Sequence, residues 1–395
     1  MIDFLVKKFV PDHESINNPN VRKRYGLMTS IIGICCNIFL FILKFVIGTI
    51  SGSISIISDA FNNLSDCANC MVSVFGFKFS AKPADKDHPY GHGRTEYLAT
   101  LFIAVSIIVL GIELVKTSAE RIIEPKKIEL SAAVIISLVI SIAVKLWMAH
   151  LNHTLGKRIN SMLMLATVRD SLCDVCATTA AALGIILTHF TGLPFDGIMG
   201  ILVALFVTYT GVALINETLD LIIGEPVDDV TLERINEIVR SSEKVLGVHD
   251  VMVHDYGPVS KVGSCHVEVR SDEKLIEIHE VIDDIERKIF DELGVSMTIH
   301  MDPVEVDDPE TIKCRTAISG ILKKECDGVT IHDFRLVRCD GYTLVSFDLL
   351  KPYGCCLPDS EIKTMVDGVL TKIGDGYRSR ITFEEGEELR NHGTS

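Results

Sequence analysis

The sequence has no basic surplus in its second half, no disulfide-like spacing among its 12 cysteines and no HExxH motif. Each absence removes a class of function. Residues 225–395 hold 20 Lys and Arg against 36 Asp and Glu, formally −16. That acidity argues against nucleic acid and for cationic ligands. Several cysteines (Cys35, Cys36, Cys67, Cys70, Cys173, Cys176) lie inside apolar runs, which reads as reduced thiols beside a cytosolic domain. No nucleophile–base arrangement and no kinase, cyclase or DNA-binding motif is visible, so an enzyme is not expected. The N-terminal stretch starts polar, with Lys7, Lys8 and "RKR" at 22–24, and has no short apolar core before a small-residue cleavage site. No cleavable signal peptide is therefore expected.

What the chain does have is divided unevenly. Its 395 residues are 48% hydrophobic with a mean hydropathy of +0.33, but the average hides two halves. Residues 1–224 carry 18 basic and 17 acidic residues, formally +1, and contain the long apolar runs. The first half reads as a membrane domain and the second as an acidic soluble one. A span needs about 20 mostly apolar residues. Six fit: about 26–50, 54–79, 95–118, 130–152, 162–188 and 194–223. Basic residues cluster before the first span, in loop 80–94 (Lys82, Lys86, Arg94) and in loop 153–161 (Lys157, Arg158). Loop 119–129 dissents with Arg121, Lys126 and Lys127, offset by Glu120, Glu124 and Glu129. The bias places both termini in the cytoplasm.

Polar residues inside the spans are the informative ones. Span 2 contains Asn62 and Asp66, and span 5 contains "RDSLCD" with Asp170 and Asp174. Each pair is spaced i, i+4, so each lies on one helix face, and both fall near mid-span. Ionisable residues there are costly and usually mark an ion path, although a lone Asp can simply join two helices. Two pairs at matching depth point to a four-ligand metal site. Three carboxylates and an amide suit hard ions such as Mn²⁺, Mg²⁺ or Ca²⁺, whereas zinc prefers His or Cys. Cys70, one turn beyond Asp66, and Cys173 are either small packing residues or softer ligands. Glu113, Lys145 and Arg169 are expected to pair across spans 3, 4 and 5 or to reach the interface.

Four stretches, "SGSISIISDAFNNLSD", "KPADKDHPYGHGRTE", the Asp-x-x-x-Asp of span 5 and "FDGIMGILVALFV", resemble the cation diffusion facilitator family over roughly residues 20–305. The resemblance implies a dimeric divalent-metal exporter with six spans and a cytosolic αββαβ domain, exchanging metal for protons. It implies a transport site at Asn62, Asp66, Asp170 and Asp174. Zinc-type members commonly carry His at one of these positions, so the set here resembles the bacterial manganese-type branch. It also implies a loop site at Asp85, His88 and His92, for which a folded turn is the alternative reading. A cytosolic site is implied at His249, His266, His279, His300 and Asp302.

The tail reads locally as helix, strand, strand, helix, strand over 229–302. The chain then continues past Asp308, where the family pattern ends. "TIHDFRLVRCDG" at 330–341 parallels "GVHDVMVHDYG" at 247–257, with His249 and His332 83 residues apart. A second unit of the same kind is expected, with helices near 309–325 and 358–373 and "SRITFEE" as the last strand. It keeps His332 but no His-x-Asp, so little metal chemistry is expected of it; Cys355 and Cys356 form a weak soft-metal candidate.

The expected architecture is a polytopic α-helical membrane protein with six transmembrane helices plus a cytosolic α+β domain (αββαβ, ferredoxin-like) that is duplicated. Its segments are 1–25, a cytosolic N-terminal stretch; 26–224, the membrane domain; 225–305, the first αββαβ domain; and 306–395, the second. The expected function is efflux of a divalent cation, Mn²⁺ foremost, by proton antiport across the cell (inner) membrane, as a homodimer. Divalent metal is cargo and no cofactor is required. The alternatives are a Zn²⁺, Fe²⁺ or Cd²⁺ exporter of the same kind, or a membrane metal sensor with the tail as output.

Overall fold

The computed structural model describes residues 2–51, 54–123, 132–191, 195–325, 328–355 and 357–385. Lys126, Lys127, Glu124 and Glu129 of the dissenting loop, and Cys356 of the tail pair, lie outside these residues. The chain divides into two compact units, Met1–Glu225 with Asp255–Lys261, and Pro226–His254 with Val262–Ser395.

The first unit is helical. A short helix α1 (Ile2–Phe9) is followed by α2 (Pro19–Ser51), α3 (Ile54–Ser80), α4 (Thr95–Ile123), α5 (Ala132–Arg158), α6 (Met162–Thr191) and α7 (Phe195–Ile223). Helix α2 opens with Pro19, whose missing N–H costs nothing at a first turn, and Asn18 Oδ1 accepts the Asn20 N–H at 2.9 Å. Among the described residues, five stretches are long and apolar enough to cross a membrane: Pro19–Ile50, Thr95–Ile123, Ile135–Arg158, Met162–Thr188 and Gly197–Ile223. Helix α3 falls below that level because Asp59, Asn62, Asn63, Asp66 and Asn69 interrupt its apolar run.

Small residues bring these helices together, as packing in lipid requires. Helices α4 and α7 lie against each other. A Cβ at Gly111 would stand 2.3 Å from Thr208 Oγ1, and one at Gly200 would stand 2.1 Å from Ser118 Oγ. Either substitution would force the facing side chain to shift. Helix α3 packs on α2, α4 and α6, and α5 packs on α2 and α6. Those neighbours decide which polar side chains meet.

The second unit contains α8 (Asp229–Val239), β1 (Val245–Asp255), β2 (Lys261–Arg270), α9 (Leu275–Leu293) and β3 (Val295–Val304), then α10 (Pro309–Glu325), β4 (Thr330–Cys339), β5 (Tyr342–Lys351), α11 (Asp359–Ile373) and β6 (Tyr377–Glu385). The strands form two sheets, ordered β1-β2-β3 and β4-β5-β6. In the second sheet β4 and β5 run antiparallel through the Asp340–Gly341 turn, where Gly341 takes φ 85°. Strands β5 and β6 run parallel, and α11 supplies the crossover that a parallel pair requires.

Each half has its own core. Helix α9 buries Ile278, Ile282, Ile285 and Ile289, one helical stripe, against Val267, Val295 and Met297 of the sheet. Asp228 caps α8 by accepting the Thr231 N–H at 2.9 Å, and Gly294 ends α9 at φ 69°. Helix α11 buries Ile362, Val366 and Leu370 against Val345, Phe347 and Leu349. The β3 strand alternates buried and exposed residues along most of its length, as a one-sided sheet dictates.

Candidate metal centres

Asp66 of α3 meets Asp170 and Asp174 of α6. Each offers a carboxylate oxygen, and the three lie within 4.8 Å of one another. Oxygens across a hard divalent ion sit about 4–5 Å apart, so the spacing fits. Asp170 is buried and the side chains of Asp66 and Asp174 are 16% and 19% exposed. Asn69, one helical turn beyond Asp66, points its amide at Asp170, with Nδ2 3.4 Å from Oδ1 and 3.5 Å from Oδ2. Asn62 lies one turn before Asp66 and is exposed.

A cation already occupies part of this space. Lys145 of α5 places Nζ 2.7 Å from Asp66 Oδ2 and 2.5 Å from Asp174 Oδ2, with its side chain 4% exposed. The sequence leaves Glu113, Lys145 and Arg169 either to pair across spans 3, 4 and 5 or to reach the interface. Instead Arg169 bonds Glu217 of α7 at 2.7 Å, and Glu113 is exposed. The reason is rotation: Arg169 is one residue, about 100°, away from the face that carries Asp170 and Asp174. Asp59 has its own partner, Lys44 Nζ at 2.8 Å. Cys70 faces Asn37, whose Nδ2 donates to Sγ at 3.6 Å, and neither Cys70 nor Cys173 joins the carboxylate group among the described residues.

In the loop between α3 and α4, Asp85, His88 and His92 also come within 4.8 Å. The Asp85 oxygens are heavily engaged. Oδ1 accepts the Asp87 and His88 backbone N–H groups at 3.1 and 2.9 Å, and Oδ2 lies 2.7 Å from Lys82 Nζ. The Lys82 bond, followed by these amides, holds the Asp85 carboxyl well below the usual carboxylate range. The same motif ties down another segment of its unit: Arg94 Nε and Nη2 donate to Asp255 O at 3.1 and 2.7 Å, and Tyr97 OH donates to Asp255 Oδ1 at 3.0 Å.

The tail holds a third group. His249 of β1, His266 of β2 and Asp302 of β3 converge within 4.8 Å. His266 Nδ1 is 3.0 Å and His249 Nε2 is 3.4 Å from Asp302 Oδ2, and His300 Nε2 is 3.3 Å from Asp302 Oδ1. His279 stands apart from them within this chain: it sits on the exposed side of α9, 3.4 Å from Asp283. Its neighbour Ile278 occupies the buried stripe, which turns His279 outward. Burial pushes the His249 imidazolium down, but the Asp250 and Asp302 carboxylates outweigh it and raise the pKa to about 10. Sequence reading had not placed Glu268 or His332 here, yet both stand next to His249.

Residues 30–223 match the cation efflux transmembrane domain, and residues 227–304 match the cation efflux protein cytoplasmic domain. An uncharacterised transporter of Methanocaldococcus jannaschii is 33% identical over 255 residues, 65% of this chain and 89% of that protein. The chain belongs to the cation diffusion facilitator family. Other members similar to it are the manganese efflux system protein MneS of Bacillus subtilis (25% over 284 residues, 71% of this chain and 96% of MneS) and the cation-efflux pump FieF of Shewanella oneidensis (25% over 268 residues, 67% and 90%). As a member of this family the protein is a multi-pass membrane transporter for cation efflux and not an enzyme. The family match stops at residue 304, so α10 through β6 lie beyond it.

Proposed function

We propose that this transporter exports a divalent cation, Mn²⁺ foremost, in exchange for protons, with Asp66, Asp170 and Asp174 as metal ligands and Asn62 as the fourth. The convergence of the three carboxylates, two of them bonded to Lys145, carries the reading. Once the ammonium leaves, the three carboxylates carry −3, which one divalent ion and one proton balance. An all-oxygen set favours a hard ion, and MneS is named for manganese efflux. FieF is named only as a cation-efflux pump, and no thiol joins the group among the described residues.

Lys145 gives the exchange a physical form. Metal and ammonium compete for the same Asp66 and Asp174 oxygens. Metal entry frees Lys145, and metal departure lets it return, with protons neutralising what it does not reach. The carboxylates must be deprotonated to hold metal, so binding and proton release are linked.

In this reading α3 is the sixth span, its polar face turned to the ion path, and both termini are cytosolic. The segments run as 1–25, 26–224, 225–305 and 306–395, the last two being copies of one αββαβ unit, and the protein works as a homodimer. The engaged oxygens of Asp85 support a folded turn at His88 and His92 rather than an ion site. His249, His266, His300 and Asp302 form a cytosolic metal site apart from the transport path, with His279 outside it. Proteoliposomes holding the purified chain should take up Mn²⁺ under a proton gradient. A chain that moves no divalent ion would contradict the proposal.

A further inference from the structure

Beyond the family match the chain adds a second αββαβ half, and one of its residues reaches the first half. We propose that a borderline divalent cation such as Zn²⁺ binds between the two halves of the tail, held by His249 and Glu268 of the first and His332 of the second. The three side chains each offer a ligand atom, and these lie within 4.8 Å of one another. They come from β1, β2 and β4, so the site exists only when both halves are in place. It is independent of the membrane carboxylates.

Two buried polar atoms lack hydrogen-bond partners at this spot. His249 Nε2 and Glu268 Oε1 are among the buried side-chain atoms without one. Their residues are only 5% and 7% exposed. Glu268 Oε1 has Arg315 Nη2 at 3.9 Å, too far for a hydrogen bond, and His249 Nε2 has Asp302 Oδ2 at 3.4 Å without hydrogen-bond geometry. Buried donors and acceptors are rarely left so, and a missing ion is one standard reason.

Each histidine is held as ligating histidines are, by an oxygen on its other nitrogen. His249 Nδ1 lies 3.0 Å from Asp250 Oδ2, and His332 Nε2 lies 3.0 Å from Thr330 Oγ1. The two rings stack with centroids 4.6 Å apart. The backbone is shaped for this. Asp250 and Asp333, the residues after each histidine, take φ 52° and 47°, a left-handed conformation uncommon outside glycine. The β4–β5 register breaks between His332 and Arg335, so a bulge re-aims the chain at that point. Gly247 leaves room for the carboxylate, since a Cβ there would stand 2.8 Å from Glu268 Oε2.

Two imidazoles and one carboxylate form a three-ligand set with a fourth position for water, which suits Zn²⁺ or Co²⁺ better than Mn²⁺. His249 also borders His266 and Asp302, and its one free nitrogen can hold a single ion, so an ion here leaves His266, His300 and Asp302 to the neighbouring group. A bound ion would tie the appended half to the first.

The test uses the full-length protein in detergent, loaded with Zn²⁺, with bound metal counted by mass spectrometry. His332→Gln and Glu268→Gln should each bind one ion fewer than the wild type. Asp174→Ala should lose a different ion, so that a double variant with His332→Gln loses both. Hydrogen exchange on the wild-type chain provides a second reading free of any folding defect: Zn²⁺ should slow exchange in β4. A His332→Gln or Glu268→Gln protein that keeps the wild-type metal complement overturns the proposal, as does a β4 whose exchange ignores Zn²⁺.

Discussion

The membrane and tail groups assemble opposite chemistries from the same principle. In the membrane unit, three carboxylates converge and two of them hold an ammonium, with no imidazole or thiol among the described ligand atoms. In the tail, imidazoles surround a carboxylate. The first arrangement already holds a cation, the Lys145 ammonium, on two of its carboxylates. The second has histidines clamped by neighbouring oxygens. Under the proposed function the ammonium rivals the incoming ion in the membrane, whereas the tail group offers an ion imidazoles. On that proposal the difference separates a transport role from a holding role.

Removing the competitor should break the comparison most strongly. Lys145→Met leaves Asp66 and Asp174 without their ammonium. Mn²⁺ should then bind at least about tenfold more tightly, a change worth about 1.4 kcal/mol. Both KM and kcat should fall together, because the ion leaves slowly. A raised KM in flux assays would mean that Lys145 supports the metal rather than rivals it.

Adding an imidazole to the membrane site should blur the comparison. Asn62→His should move the Mn²⁺/Zn²⁺ flux ratio towards zinc by roughly tenfold, the effect of about 1.4 kcal/mol. An unchanged ratio in competition assays would remove Asn62 from the ligand set.

The tail should respond to its inner histidine and ignore its outer one. His266→Ala should reduce the thermal shift that Zn²⁺ gives the full chain by a few degrees, since an ion that binds only the folded state stabilises it. His279→Ala should leave that shift unchanged, because His279 stands with Asp283 on the exposed side of α9. Equal losses from both variants would place His279 in the site by some route this chain alone does not supply.

The smallest effect concerns acid. Burial, followed by the His249 charge, lowers the His332 pKa to about 4. An unfolded histidine titrates near 6.5. Between about pH 6.5 and 4 the unfolded chain therefore binds a proton that folded His332 refuses, so metal-free stability should fall as pH drops through that window. His249 has the opposite sign: its stabilisation is intact below about pH 6.5 and is lost as pH rises towards 10. Thermal melts from pH 7 to 4 on wild type and His332→Gln check the first claim, and a variant with the same slope as wild type would reject it.

Much of this was visible in the residues. The i, i+4 spacing put Asp170 and Asp174 on one face, and the apolar stripes of α9 and α11 follow directly from the sequence. A helix expected over 309–325 spans Pro309–Glu325. What periodicity could not carry was which helix lies beside which. Lys145 finds Asp66 and Asp174 because α5 and α3 both pack on α6, and no local pattern encodes that. Asn69 carries no local signal, because its partner, Asp170, lies 101 positions away. His332 alone predicts little metal chemistry because its own half keeps no His-x-Asp. Its neighbours come from the first half, and a bulge turns the strand at that point.

The central claim is that the carboxylates between α3 and α6 carry the ion. Mn²⁺ flux into proteoliposomes, with wild type, Asp66→Ala and Asp174→Ala inserted to equal density, tests it most directly. The account predicts flux for the wild type and none above empty vesicles for either variant. Wild-type flux from either variant would contradict it.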